Sequence, residues 1–591
     1  MSQATHPGDA PSDPVATTAR SPWIINAAWD LLLFIATPVL IIPALWLSRQ
    51  RFSPDAIYAF VTAFGATGHH LPGLLRAYGD RGLFRRFRVR FTLVPALLLA
   101  ISIPLLFTEL RQGMMVILVI WGFWHGMMQV YGFARIYDAK LGSHDPRTVR
   151  LDWLLCLAWF GVGLINSDGR VYQFLEVFDQ AGGFTIPAAA VSGLRNMWNL
   201  MTALVTIAYF RHLMGGLSSD NPPNYLKLLT MAISFGYWWY AMVEVDSILY
   251  GIALFEIFHD VQYLAIVWVF NRKRVDADPG VGSFSRFLFR RGGSMVGLYL
   301  GLVVGYGAIS NLQAQVTIAS IQNVLVALVW TSTLLHFYFD GFIWKVREHG
   351  TRAGLGINDK TTTPAPPPLG DGLRHAAKWT PFLLGVTILA VAQWWEAGVY
   401  AAPEERQRRE MLRYEHFVRL LPRYDHAHLT LGTRHYAAGD LDAARKSFDR
   451  ALALSHDRNA QAHYNRGLID AAGKNHDAAI GHYNRSLELD PHSDQAHHVH
   501  FALGAAHQSQ GNPSPANSHY RQALRLQPDF AVAHLGLGGL LRETGDVATA
   551  REHLTRAVVL LTDSAEDRRH LAAARQQLEE LDRDLDRDAG R

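Results

Sequence analysis

The sequence predicts an all-α protein: a polytopic transmembrane helix bundle of about eleven spans, followed by a soluble α-solenoid. Three observations carry that expectation. Before about residue 400 the apolar residues gather in runs of about 20, the length that crosses a bilayer as a helix. Lys and Arg collect in alternate loops between those runs. After residue 425 a pattern of small and aromatic residues recurs every 34–37 residues.

Residues 1–22 are polar and proline-containing and read as a disordered tail. No basic segment or small-residue cleavage site precedes the first apolar run, so no removable signal peptide is expected. Spans are expected near 23–47, 56–75, 90–109, 113–134, 151–166, 196–214, 225–243, 247–270, 293–310, 319–343 and 379–399. The fifth is short and the sixth carries Arg211 and His212, which leaves the count open by one. The basic loops at 76–90, 134–150, 271–291 and 345–352 all follow even-numbered spans. The positive-inside rule then makes that side cytoplasmic, with the N-terminus. Everything after span eleven falls on the other, exoplasmic side, and the expected location is a bacterial inner membrane.

A proline-rich linker, 350–378, interrupts the last cytoplasmic loop of the 23–399 membrane region. A connecting helix, 400–424, leads to the repeats at 425–562, and a charged helix within 563–591 is expected to cap them. With 55 Lys and Arg against 51 Asp and Glu, charge gives no reason to expect a nucleic-acid partner. The single cysteine, Cys156, excludes an intrachain disulfide and a thiolate metal cage. No nucleotide-binding loop is present, so no nucleotide cofactor is expected.

In the repeats Gly432, Gly467, Gly504 and Gly538 keep register with Ala444, Ala479, Ala516 and Ala550. Phe448, Tyr483, Tyr520 and Leu554 follow in phase, and Pro491 and Pro528 close two of the units. Two packed helices per unit explain the pattern, with small residues where the helices cross. This region resembles the tetratricopeptide repeat family. The resemblance implies about four repeats and a surface that binds a protein partner. His428, His463, His500 and His534 share one repeat position and read as a consensus aromatic rather than a metal site.

Chemistry is expected in the membrane half. ALFEIFHDVQYLAIVWVF, at 253–270, carries Glu256, His259, Asp260 and Gln262 inside an apolar span. Ionisable groups at such depth are expensive and usually pair, coordinate or carry ions. Span two carries His69 and His70, span four His125 and Gln129, and span ten His336 and Asp340. All four spans run toward the basic side. From His69 to Arg76 is 7 residues, from His125 to Arg135 is 10, from His259 to Arg272 is 13 and from His336 to Lys345 is 9. At about 1.5 Å per residue the histidines lie roughly 10–20 Å from those charges and could form one layer.

Histidine and carboxylate without thiols suits iron first, with manganese or zinc as alternatives. Glu256-x-x-His259 has the spacing by which one helix presents two ligands. The expected ligands are therefore His69, His125, His259, His336 and Glu256, supported by His70, Asp260, Asp340 and Gln129. The pattern at His69, His125, His259 and His336 resembles histidine-rich integral membrane oxygenases, most closely the Brp/Blh-type carotene-cleaving dioxygenases. That resemblance implies an iron-dependent oxygenase or hydroxylase acting on a membrane lipid or isoprenoid. Two alternatives stay open: a proton- or ion-coupled transporter component, and a membrane-anchored repeat scaffold without catalysis.

Overall fold

The computed structural model describes residues 21–357, apart from short gaps at 109–110, 144, 218–222, 246, 278–280, 345–350, 352–353 and 356. It also describes scattered residues at 380–395 and residues 402–589 apart from 563–566. The tail, most of the proline-rich linker and part of the expected span at 379–399 lie outside the described residues. Among the described residues the chain is helical throughout, with one isolated bridge between Asp80 and Val281.

The first half opens with α1 (Ala27–Asp30), a π-helical turn (Leu31–Ile35), α2 (Thr37–Arg49) and α3 (Pro54–Phe60). A second π-helical segment (Val61–Ala66) leads to α4 (His70–Gly79), followed by α5 (Arg81–Arg86), α6 (Arg88–Leu106) and α7 (Arg111–Leu141). Then come α8 (Pro146–Ile165), α9 (Asp168–Gln180), α10 (Ala188–Leu217), α11 (Tyr225–Trp239) and a third π-helical segment (Tyr240–Glu244). The half closes with α12 (Ile248–Ala277), α13 (Ser283–Leu288), α14 (Gly293–Gln315) and α15 (Ala319–Ile343). Local chemistry sets several starts. Ser53 and Asp145 accept backbone N–H groups at the heads of α3 and α8, each with proline in the first turn.

Seven of these helices are long and apolar enough to cross a membrane: α6, α7, α8, α10, α12, α14 and α15. An eighth candidate is the pair 27–35 and 37–49, bent by 48°. The expectation of about eleven spans is corrected here for the described residues. The stretches expected at 56–75 and 225–243 are broken by π-helical segments into pieces too short to qualify. A π turn inserts one residue into the helical ladder, which bends the chain without altering its hydropathy.

At one end of the bundle Lys273 Nζ donates to the carbonyls of Ile24 and Leu355. Arg76 Nη2 donates to Thr351, Arg274 pairs with Asp80, and Tyr137 donates to Asp30. Ile24, Asp30 and described residues from each of the four basic segments thus meet at one end. At the opposite end α9 meets α16 (Pro403–Leu420). There Tyr172 and Leu175 pack with Tyr414 and Phe417, Arg413 pairs with Asp179, and Tyr414 donates to Glu176.

After α16 four helical hairpins stack: α17–α18 (Asp425–Ala437, Leu441–Leu454), α19–α20 (Ala460–Ala472, His476–Leu489), α21–α22 (Ala496–Ser509, Pro513–Leu526) and α23–α24 (Ala531–Glu543, Val547–Leu560). Each crossing needs its glycine. A Cβ on Gly467 would stand 2.5 Å from the Tyr483 ring, and one on Gly504 would stand 2.6 Å from the Tyr520 ring. The final helix, α25 (Arg568–Ala589), packs against the last hairpin through Leu571, Ala574 and Leu581.

Candidate metal centre

The four histidines expected from depth come together. One ring nitrogen from each of His69, His125, His259 and His336 lies within 4.8 Å of every other. They arrive on separate elements: the turn before α4, then α7, α12 and α15. His336 stands in the middle, its Nε2 3.0 Å from His69 Nε2 and 3.0 Å from His125 Nε2. The His259 ring packs edge-on against the rings of both His69 and His125. Three of the four are buried and His125 is half-buried.

The second π-helical segment positions His69. It ends at Ala66, and the chain re-enters α-helix only at His70. Gly65 lets this segment approach α12 closely; a Cβ there would stand 2.7 Å from Asp260 Oδ2. Asp260 Oδ1 in turn lies 2.7 Å from His69 Nδ1. A carboxylate at this distance favours a hydrogen on Nδ1, which would leave Nε2, the nitrogen facing the other rings, as a bare lone pair.

The geometry also tests whether a cation fits. A neutral imidazole nitrogen carries one hydrogen or one lone pair, so His336 Nε2 can hydrogen-bond one neighbour, not two. Converging nitrogens in a buried place leave at least one lone pair without a donor, and a shared cation resolves that. Four imidazoles suit iron, zinc or a neighbouring transition ion, so the residues present fit the expected metal.

The remaining expected residues divide. Asp340 accepts from Tyr263 Oη at 3.0 Å and from Trp344 Nε1 at 2.9 Å, and its other oxygen is 3.8 Å from His336 Nε2. Gln129 donates to the His259 carbonyl and to Gln262, so it braces the backbone rather than a ring. His70 stands outside the converging set. It stacks on His336 and bonds Ser332 Oγ, which also meets Tyr306. Glu256 is likewise outside the four-nitrogen set.

Sequence reasoning missed Tyr263, Ser332 and Trp344. The Tyr263 ring lies against His69 and His336. Its signal was present: it is four residues after His259 on the same helix face, as Ser332 is four before His336.

The family comparison falls in the second half. A family model described as tetratricopeptide repeat matches residues 429–494 and 501–567. No curated protein matches the chain. Similar solved structures include MamA from Desulfovibrio magneticus RS-1, 20% identical over 28% of this chain and 94% of that one, with a TM-score of 0.24. PilF of Pseudomonas aeruginosa is 19% identical over 30% of this chain and 85% of its own, with a TM-score of 0.26. YrrB, described as a TPR protein with an unusual peptide-binding site, is 18% identical over 28% and 84%, with a TM-score of 0.24. None of these comparisons shows the expected resemblance of the first half to histidine-rich membrane oxygenases. The second half carries tetratricopeptide repeats.

Proposed function

We propose that the chain is a multi-pass membrane protein whose bundle holds a transition-metal ion, iron first, on His69, His125, His259 and His336. The proposed activity is oxidation of an apolar lipid or isoprenoid drawn from the bilayer. The repeats would recruit a protein partner on the exoplasmic side. The observation that carries the reading is the convergence of four ring nitrogens from four separate elements, with Asp260 Oδ1 2.7 Å from the outer nitrogen of one.

Membrane insertion is supported by apolar helices that the rest of the chain leaves uncovered. In α10 only 11% of the most apolar window is buried, and Met197, Leu200 and Phe210 face outward. Such a surface is costly in water and natural in lipid. The shared end of the basic segments supports the cytoplasmic assignment of that end. The contact of α9 with α16 fits a repeat domain on the opposite side.

Bound at this centre, iron would supply the means of activating dioxygen. The chain's own part is to exclude water, to keep His69 Nε2 free of hydrogen through Asp260, and to brace His336 through the Asp340–Tyr263–Trp344 cluster. Metal content of the purified full-length protein tests the reading. One equivalent of iron, manganese or zinc is expected in wild type, with loss in His336→Ala and His69→Ala. Active protein without stoichiometric metal would refute it.

A second reading, a proton or ion pathway, is favoured by one observation. Glu256 stands outside the four-nitrogen set, one helical turn before Asp260 on the same face of α12. It expects pH-dependent flux in Glu256-containing protein and none in Glu256→Gln.

A further inference from the structure

The basic end of the bundle holds a second feature that the metal centre does not use. α4 gives way to α5 at Asp80, and α13 packs against the junction; Gly282 N–H donates to the Gly79 carbonyl at 3.0 Å. Beside this seam lies a cavity of about 430 Å³. Leu74, Leu75 and Phe284 give it an apolar wall, while Tyr78, Arg81 and Ser283 give it a polar one. We propose that this cavity binds an anionic phospholipid, the headgroup against Arg81 and the upper acyl chain against Leu74, Leu75 and Phe284.

Charge supports an anion. The segment RGLFRRFRVR, 81–90, carries five arginines, and Arg290 follows on the other side of the seam. Among the described residues no acidic side chain pairs with Arg81, Arg85, Arg88 or Arg290. Among the described residues the nearby carboxylates Asp80 and Asp276 are engaged elsewhere. Asp80 Oδ2 pairs with Arg274 at 2.6 Å while its Oδ1 caps α5, and Asp276 pairs with Arg272 at 2.9 Å. A patch of uncompensated arginines beside membrane helices attracts anionic headgroups.

The apolar wall supports a lipid rather than free phosphate. Phe284 is 51% exposed and Phe287 is 44% exposed on α13, where they meet solvent unless acyl chains cover them. A phosphate ion gains nothing from Leu74, Leu75 or Phe284. A phospholipid uses both walls, and the volume is within the range of ordinary ligand cavities.

This inference rests on the reading of the first half as membrane-inserted. The test uses full-length protein in nanodiscs of mixed phosphatidylcholine and phosphatidylglycerol, with retained lipid counted by native mass spectrometry. Wild type is expected to retain phosphatidylglycerol preferentially. Arg81→Ala is expected to lower that retention about fivefold, the effect of one basic residue at a membrane surface. Arg81→Lys is expected to keep most of it. Arg147→Ala removes a charge from the same end, away from the cavity, and is expected to leave retention unchanged.

An equal loss in Arg147→Ala and Arg81→Ala would reveal diffuse attraction and overturn the site. Displacement of the lipid by excess inorganic phosphate would reveal an anion site only and also overturn it. Protein that inserts but shows no lipid preference overturns the site while the membrane reading stands. Protein that fails to insert at all overturns both.

Discussion

Asp260→Asn isolates the support of the metal centre from its ligands. Asp260 is buried on α12, with Oδ1 2.7 Å from His69 Nδ1. Asparagine keeps the size of the side chain and removes its charge. Its amide oxygen can still accept from Nδ1–H, so the His69 ring can hold its place. Its amide nitrogen, turned inward, would instead pull the hydrogen onto Nε2, the atom facing His336 across 3.0 Å. Either outcome weakens the ligand: the first lowers its basicity, the second blocks its lone pair. Loss of such an outer partner lowers metal affinity by about 10–100-fold, or roughly 1.4–2.8 kcal/mol. The assay is chelator competition on detergent-solubilised full-length protein, followed by metal analysis. Asp340→Asn is the comparison. Its nearer approach to His336 Nε2 is 3.8 Å and its other oxygen serves Tyr263 and Trp344, so a smaller loss is expected. Wild-type affinity in Asp260→Asn together with wild-type affinity in His69→Ala would refute the reasoning.

The repeats offer three further tests by thermal or urea unfolding of the full-length protein. Gly467→Ala drives a methyl group into the Tyr483 ring, and overpacking of this kind lowers stability by about 1–3 kcal/mol; an unchanged unfolding midpoint would contradict the crossing geometry. Lys474 has φ +61 at the turn where Gly439, Gly511 and Gly545 stand in the other repeats, so Lys474→Gly should gain about 1 kcal/mol by relieving left-handed backbone strain, and a loss would contradict it. Acidification should weaken the repeats through three histidine pairs, His463–His482, His500–His519 and His534–His553, whose Nδ1 atoms face each other at 2.8–3.2 Å.

The sign of that pH effect follows from burial. Burial, with His519 and then Arg525 beside it, lowers His500 from 6.5 to about 4. Burial first and a neighbouring histidine second also lower His482, His519 and His553. Asp470, Asp449 and Arg466 face the first pair, His507 the second, and Glu552, Asp546 and Arg521 the third. The unfolded chain takes up protons first as pH falls, so this stability is complete above pH 6.5 and is lost as pH falls toward about 4. Replacing His482, His519 and His553 by Gln should flatten the dependence of midpoint on pH between 7 and 5, a result that an unchanged slope would overturn.

The repeats were legible because one constraint, two helices crossing at a small residue, is written again every 34–37 residues. The bundle was legible only as hydropathy. Its π-helical breaks at 61–66 and 240–244 are invisible in composition, because one extra residue in a turn leaves an apolar run apolar. That blind spot matters at His69, which emerges directly from such a break. Depth along parallel helices brought the four histidines to one layer. It could not decide which rings turn inward. His69 and His70 are adjacent, yet only the first joins the set; Glu256 has helical spacing to His259 and stands apart. Rotation about the helix axis is a tertiary property, and a single sequence does not carry it.

A buried polar network elsewhere in the bundle shows why the histidine cluster is more than polar packing. Near the basic end Asp138 and Asp152 meet Arg135 and Lys227; Lys227 Nζ is 3.1 Å from Asp138 and 3.2 Å from Asp152, and Tyr209 donates to Asp152 at 2.7 Å. Two carboxylates face two cations, so each charge has an opposite partner and no further group is required. The histidine centre lacks that closure. Its nitrogens face one another, and His336 Nε2 has two rivals for one bond. Both clusters pay for burial among apolar helices, yet only one is complete from its own side chains. The incomplete one is drawn from four elements up to 267 residues apart, with a carboxylate 2.7 Å from the outer nitrogen of His69. If polar packing were its whole role, exchanging His125 and His336 together for residues of apolar character would leave the protein as stable and as metal-free as before. A metal centre predicts the opposite, with loss of bound metal in the double variant and no loss in a variant of the paired network that still folds.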